Sequence, residues 1–97
     1  MALIGSHKRI FQIETGMVAV MIAASLKKLM ESPSDKYQID TLLNYVDVII
    51  GDAKFLRDDD LEENAKTIRD FFMKSEERRT SLEISLLLDR FRELIWG

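Results

Sequence analysis

The sequence contains no cysteine, one histidine (His7), four glycines and one proline in 97 residues. The absence of cysteine excludes disulfides, and one histidine leaves too few ligands for a structural zinc site or a di-iron helix bundle. The glycines are isolated, so no glycine-rich loop is present to bind a phosphate group. No reactive side chain is paired with an activating one. We therefore expect a non-enzymatic protein with no catalytic residue, no metal and no cofactor.

The sequence also lacks the patterns that direct a chain to or across a membrane. Its apolar beginning precedes Lys8 and Arg9, whereas in a signal peptide the positive charges come first. The most apolar stretch, Gly16 to Leu26, is too short as a helix to cross a hydrocarbon core of about 30 Å, and Glu14 opposes its extension. Because cysteine is also missing, we expect a cytoplasmic protein without a membrane partner.

What the sequence does contain is apolar residues at helical spacing. They make up 46% of the chain, which is ordinary for a globular protein, and the length is that of one domain covering residues 1–97. We predict an all-α fold, a compact bundle of three to four antiparallel helices. A domain this small has a thin core, so dimerisation would add to its stability.

The first predicted helix begins near Ser6 or His7 and ends near Glu31. Its main apolar stripe comprises Ile10, Ile13, Met17, Val20, Ala24 and then Leu29 or Met30. Further apolar residues widen this face, which favours a helix buried on most sides. The alternative is a pair of short strands, at residues 9–14 and 17–22.

Local signals place the other helices. Ser32 is the predicted N-cap of the second helix, with Pro33 at its first position. Asp59 and Glu62 have the spacing of a capping box, which places the start of the third helix there, and Glu62 is four residues before Lys66. Thr80 and Glu83 repeat that spacing before a fourth helix. The alternative is one long C-terminal helix from residue 59 to residue 96.

Charge is unevenly distributed along the chain. Residues 35–63 contain nine acidic and three basic residues, although the net charge of the whole chain is only −3. The acidic run after residue 57 lacks the alternating carboxylates and central glycine of a calcium loop. It can instead attract a basic protein partner. The acidic residues predicted to bind such a partner are Asp58, Asp59, Asp60, Glu62 and Glu63.

The third and fourth predicted helices contain more apolar residues than a single contact between two helices can bury. Leu86, Leu87 and Leu88 are consecutive and point about 100° apart on a helix. We therefore expect part of the surface of the third and fourth helices to be an interface. The apolar residues predicted to contact the partner are Phe72, Leu87, Phe91 and Trp96.

These observations predict a small protein–protein interaction module. It would act as a regulator, an inhibitor or an immunity-like protein by binding and occlusion, with another protein or a second copy of itself as partner. One alternative is a dimeric nucleic-acid-associated regulator that uses Arg78, Arg79, Arg90 and Arg92. The other alternative is a structural subunit that self-assembles.

Overall fold

The computed structural model describes residues 2–74, 77 and 79–97, with side chains from residue 8 onward. Within these residues it contains four α-helices and no strand. The helices are α1 (Ala2–Glu31), α2 (Lys36–Leu56), α3 (Asp59–Lys74) and α4 (Ser81–Trp96). The predicted all-α bundle is confirmed. The alternative of two short strands was wrong, because residues 9–22 are helical. The alternative of one long C-terminal helix was also wrong, because α3 and α4 are separate helices.

The helices form an up-down-up-down bundle. α1 contacts α2 and α4, α2 contacts α3, and the contact between α3 and α4 is the smallest of the four. At about 1.5 Å per residue α1 is roughly 45 Å long, and the molecule measures 49 × 24 × 20 Å. The first helix therefore runs almost the full length of the molecule.

One apolar core lies between the four helices. Among the described side chains of α1, the buried apolar ones begin at Ala19, and the side chains of α2, α3 and α4 supply the rest of the core. The fully buried large side chains are Phe72, Phe91, Ile22, Leu26, Leu29, Leu42, Ile49, Ile68, Ile84 and Val46.

The turn between α1 and α2 differs from the predicted one. Asp35, not Ser32, is the N-cap of α2, and its carboxylate accepts a hydrogen bond from the backbone N–H of Gln38 at 3.2 Å. The N–H of Ser32 instead donates to the carbonyl of Lys28, which ends α1. Pro33 therefore lies in the turn and not in the first turn of α2.

The start of α3 is shifted by one residue from the prediction. Asp58, not Asp59, accepts the N–H of Leu61 at 3.1 Å and caps the helix. The preceding residue, Arg57, ends α2 with φ 57° and ψ 38°, in the left-handed region. The cap of α4 is confirmed, since the hydroxyl of Thr80 accepts the N–H of Glu83 at 3.2 Å.

Candidate interaction surface

A row of exposed apolar side chains runs along the outside of α1. We define the outer stripe as Ile10, Ile13, Met17, Val20 and Ala24, all of which are exposed. Met17, at its centre, is 68% exposed. These residues are spaced alternately by three and four, and at about 1.5 Å per residue they extend over roughly 21 Å of helix. They form a continuous apolar ridge.

The outer stripe lies opposite the core face of the same helix. At about 100° per residue, Met17 and Val20 point roughly away from Ile22 and Leu26, which are fully buried. The sequence-based expectation that α1 is buried on most sides is therefore corrected. α2 and α4 cover one side of α1, and no other described element of the chain covers the opposite side.

A shallow depression of about 400 Å³ adjoins the outer stripe. It is formed by Met17, Val18, Val20 and Met21 of α1 together with Tyr45 of α2. Methionine side chains are flexible and polarisable, and they adapt to irregular apolar partners. The depression widens the apolar ridge toward α2.

A pair of carboxyl groups lies beside the outer stripe, where α1 meets α2. Asp52 is only 2% exposed and faces Glu14 and Thr15 of α1. Burial, followed by the neighbouring Glu14, raises the pKa of Asp52 from 3.8 to about 6. About one helical turn before Glu14, Phe11 of α1 stacks on Phe55 of α2 with ring centroids 4.1 Å apart. The apolar surroundings of Glu14 in the sequence indicate a neighbour on another helix, but they do not identify Asp52, because the two residues are 38 positions apart.

Two hydrogen bonds act on the pKa of Asp52 in opposite directions, because the one with Glu14 raises it and the one from Thr15 lowers it. The hydroxyl of Thr15 lies 2.8 Å from the carbonyl oxygen of Phe11 and 3.5 Å from Oδ2 of Asp52. One hydroxyl proton serves one acceptor, and the shorter bond is the one to Phe11. The hydroxyl of Thr15 therefore donates mainly to the carbonyl of Phe11, and its longer bond to Asp52 offsets only part of the rise in the pKa of Asp52.

The predicted acidic residues lie at the α2–α3 turn and along the start of α3. Two of them have local structural roles. Asp58 caps α3, and Glu62 forms an ion pair with Lys66 at 2.6 Å, which lowers the pKa of Glu62. The remaining three, Asp59, Asp60 and Glu63, are exposed.

The predicted apolar contact residues do not lie together on the surface. Phe72 and Phe91 are buried in the core and cannot contact a partner of the folded chain. Leu87 is partly buried in the groove between α3 and α4. Trp96 is 53% exposed, and its ring meets Phe91 edge-to-face. Of these four residues, Trp96 alone presents a large exposed surface.

The arginines of the nucleic-acid alternative are separated. Arg79 donates to the backbone carbonyl of Phe72, so it supports the end of α3. Arg90 lines the groove between α3 and α4 together with acidic side chains, and Arg92 is exposed. Arg79 lies just before the start of α4. At about 1.5 Å per residue, Arg90 and Arg92 lie roughly 14–17 Å further along that helix. Arg78 lies outside the described residues.

Two further properties of the described residues bear on other classes of site. No group of three or more histidine or acidic side chains among them is arranged to hold a metal ion. The stretch Lys8–Glu31 is long and apolar enough to cross a membrane by length and composition, with a mean hydropathy of 1.4. The core helix of a soluble protein meets the same criteria but is mostly buried, whereas 28% of the 18-residue segment that meets them here is buried in the bundle.

Comparison of the chain with protein-family models, with curated proteins and with solved structures gave no match. The function is therefore argued from the geometry of the outer stripe and its surroundings.

Proposed function

We propose that the protein is a non-enzymatic protein–protein interaction module that binds through the outer stripe of α1. The observation that supports this proposal most strongly is the exposure of five apolar residues in one continuous row. Exposed apolar side chains are common singly, but a contiguous ridge of this kind is typical of a binding surface. The proposed contact surface thus differs from the surface of α3 and α4 predicted from the sequence.

In this proposal the protein acts by binding and occlusion. A regular helix presents the ridge, so its shape is set before a partner arrives and little ordering is needed on binding. The depression beside Tyr45 offers a pocket for an apolar side chain of the partner. The exposed acidic residues Asp59, Asp60 and Glu63 lie at the start of α3, and their charge favours the approach of a basic partner.

The proposal is tested by capture with matched variants. Tagged wild-type chain, Met17→Lys and Gln12→Lys are incubated with cell lysate at physiological salt after nuclease treatment. Both positions are exposed on α1, but only Met17 belongs to the outer stripe. We expect one set of proteins to be captured by the wild type and by Gln12→Lys and lost with Met17→Lys.

Capture of the same proteins by all three chains would contradict the proposal, as would capture of none. Circular dichroism of each variant checks that the helical content is unchanged. Binding that nuclease treatment abolishes would instead support the nucleic-acid alternative.

A further inference from the structure

We propose that the outer stripe of α1 binds the outer stripe of a second copy of this chain, with the two helices parallel and in register. This inference rests on the proposed function, for which it names the partner. Its first support is the spacing of the stripe. Ile10, Ile13, Met17, Val20 and Ala24 occupy successive a and d positions of a heptad, and such positions pair in parallel two-stranded coiled coils.

The charges beside the stripe select the orientation. With Ile10 at position a, Arg9 is at g and Glu14 is at the following e. In a parallel pair each g residue lies beside the e residue five positions later in the other helix. Arg9 of one copy therefore meets Glu14 of the other, and two-fold symmetry forms this ion pair twice. Both side chains are exposed in the bundle.

An antiparallel pair lacks this complementarity. Centred on Met17, it would bring Lys8 and Arg9 of one copy close to Lys27 and Lys28 of the other, where like charges repel. The charges thus favour the parallel arrangement and oppose the antiparallel one.

Space around α1 also suits the parallel pair. Gly16 occupies the second g position, and a Cβ atom added there would meet no atom within 4 Å. The residue five positions later is Met21, which is exposed. In the pair, Met21 of one copy therefore packs over Gly16 of the other. The outer stripe ends at Ala24, because the next d position is occupied by the charged residue Lys27.

Sedimentation velocity over about 1–200 µM tests association through this surface. We expect the wild type and Gln12→Lys to form dimers, and Met17→Lys to raise the dissociation constant at least tenfold. A wild type that stays monomeric at every concentration overturns the inference, and so does a dimer that Met17→Lys leaves unchanged.

Charge exchange and a cysteine test the orientation. Arg9→Glu and Glu14→Arg should each weaken the dimer about three- to tenfold, and mixing the two variants should give a heterodimer. Because the chain has no cysteine, Ile10→Cys introduces the sole thiol. A parallel pair places the two thiols together, so we expect a disulfide-linked dimer, whereas the antiparallel pair holds them about 20 Å apart. Asp40→Cys, at an exposed position of α2, controls for random collision.

The outcomes separate this inference from the proposed function. If the wild type is monomeric and Met17→Lys still loses a captured protein, the outer stripe binds a different partner and only the self-association is overturned. If the wild type is monomeric but co-sediments with anionic lipid vesicles in a manner that Met17→Lys abolishes, the stripe binds a membrane surface and both proposals are overturned.

Discussion

At the scale of single residues, the buried Asp52 makes a contribution to stability that depends on pH. Its pKa is raised from 3.8 to about 6 in the folded chain, so the folded state binds a proton more tightly than the unfolded state. The free energy of unfolding should therefore fall as the pH rises from about 4 to about 6 and then level off. Protonation of Asp52 stabilises the fold, and ionisation removes that stabilisation.

Asp52→Asn should increase the free energy of unfolding at pH 8 by about 1–3 kcal/mol, since each pKa unit corresponds to about 1.4 kcal/mol. Near pH 4 the increase should nearly disappear, because Asp52 is then protonated. Urea unfolding at the two pH values measures this difference. Asp40→Asn, at an exposed position of the same helix, should show no comparable pH-dependent gain. An equal gain in both variants would contradict the proposed role of burial.

Arg57 carries backbone strain in the αL conformation, with φ 57°. Arg57→Gly should increase the free energy of unfolding by about 0.5–1 kcal/mol, since glycine adopts this conformation without a Cβ clash. Arg57→Ala retains the strain and should change it by less than half as much. Thermal unfolding of both variants gives the comparison, and a glycine variant less stable than the alanine variant would refute the argument.

At the scale of the helices, the corrected cap of α2 can be tested directly. Asp35→Ala should lower the free energy of unfolding by about 1 kcal/mol, because it leaves the N–H of Gln38 without its side-chain partner. Ser32→Ala should cost much less, since the backbone of Ser32, not its hydroxyl, ends α1. Chemical unfolding of the two variants decides between the caps. The opposite order of stability would restore Ser32 as the cap.

The helices were predictable because their signals are local. Thr80 and Glu83 placed the start of α4 correctly, and the Glu62–Lys66 pair forms as its spacing predicts. The caps of α2 and α3 were misplaced because several adjacent residues can each accept the same N–H group. Which residue becomes the cap depends on how the preceding helix ends, for example on the left-handed conformation of Arg57. The capping preferences of single residues do not describe this effect.

At the scale of the whole molecule, the sequence could not show which apolar face is covered. The main stripe predicted for the first helix, through Ile13 and Met17, proved to be the exposed one, while Ile22 and Leu26 form the core. Both sets have helical spacing, so periodicity alone does not distinguish them. Phe72 and Phe91 were assigned to a partner surface for the same reason. The packing of four helices decides these assignments, and it is not encoded in any one segment.

Equal truncations on the two faces of α1 test this assignment. Ile22 is fully buried and Ile13 is 57% exposed. Ile22→Ala should lower the free energy of unfolding by about 2–5 kcal/mol, because it leaves a cavity in the core. Ile13→Ala should change it by less than about 0.5 kcal/mol when measured at low micromolar concentration. Similar losses in both variants would show that the faces are wrongly assigned.

The contact between α1 and α4 has a consequence for synthesis on the ribosome. α4 is made after the other three helices, and the hydroxyl of its first residue, Ser81, bonds to the carbonyl of Met30 at the end of α1. α1 and α2 can pair early as a hairpin, but part of the apolar surface of α1 stays uncovered until α4 has emerged. A nascent chain in this state is open to aggregation and to chaperones.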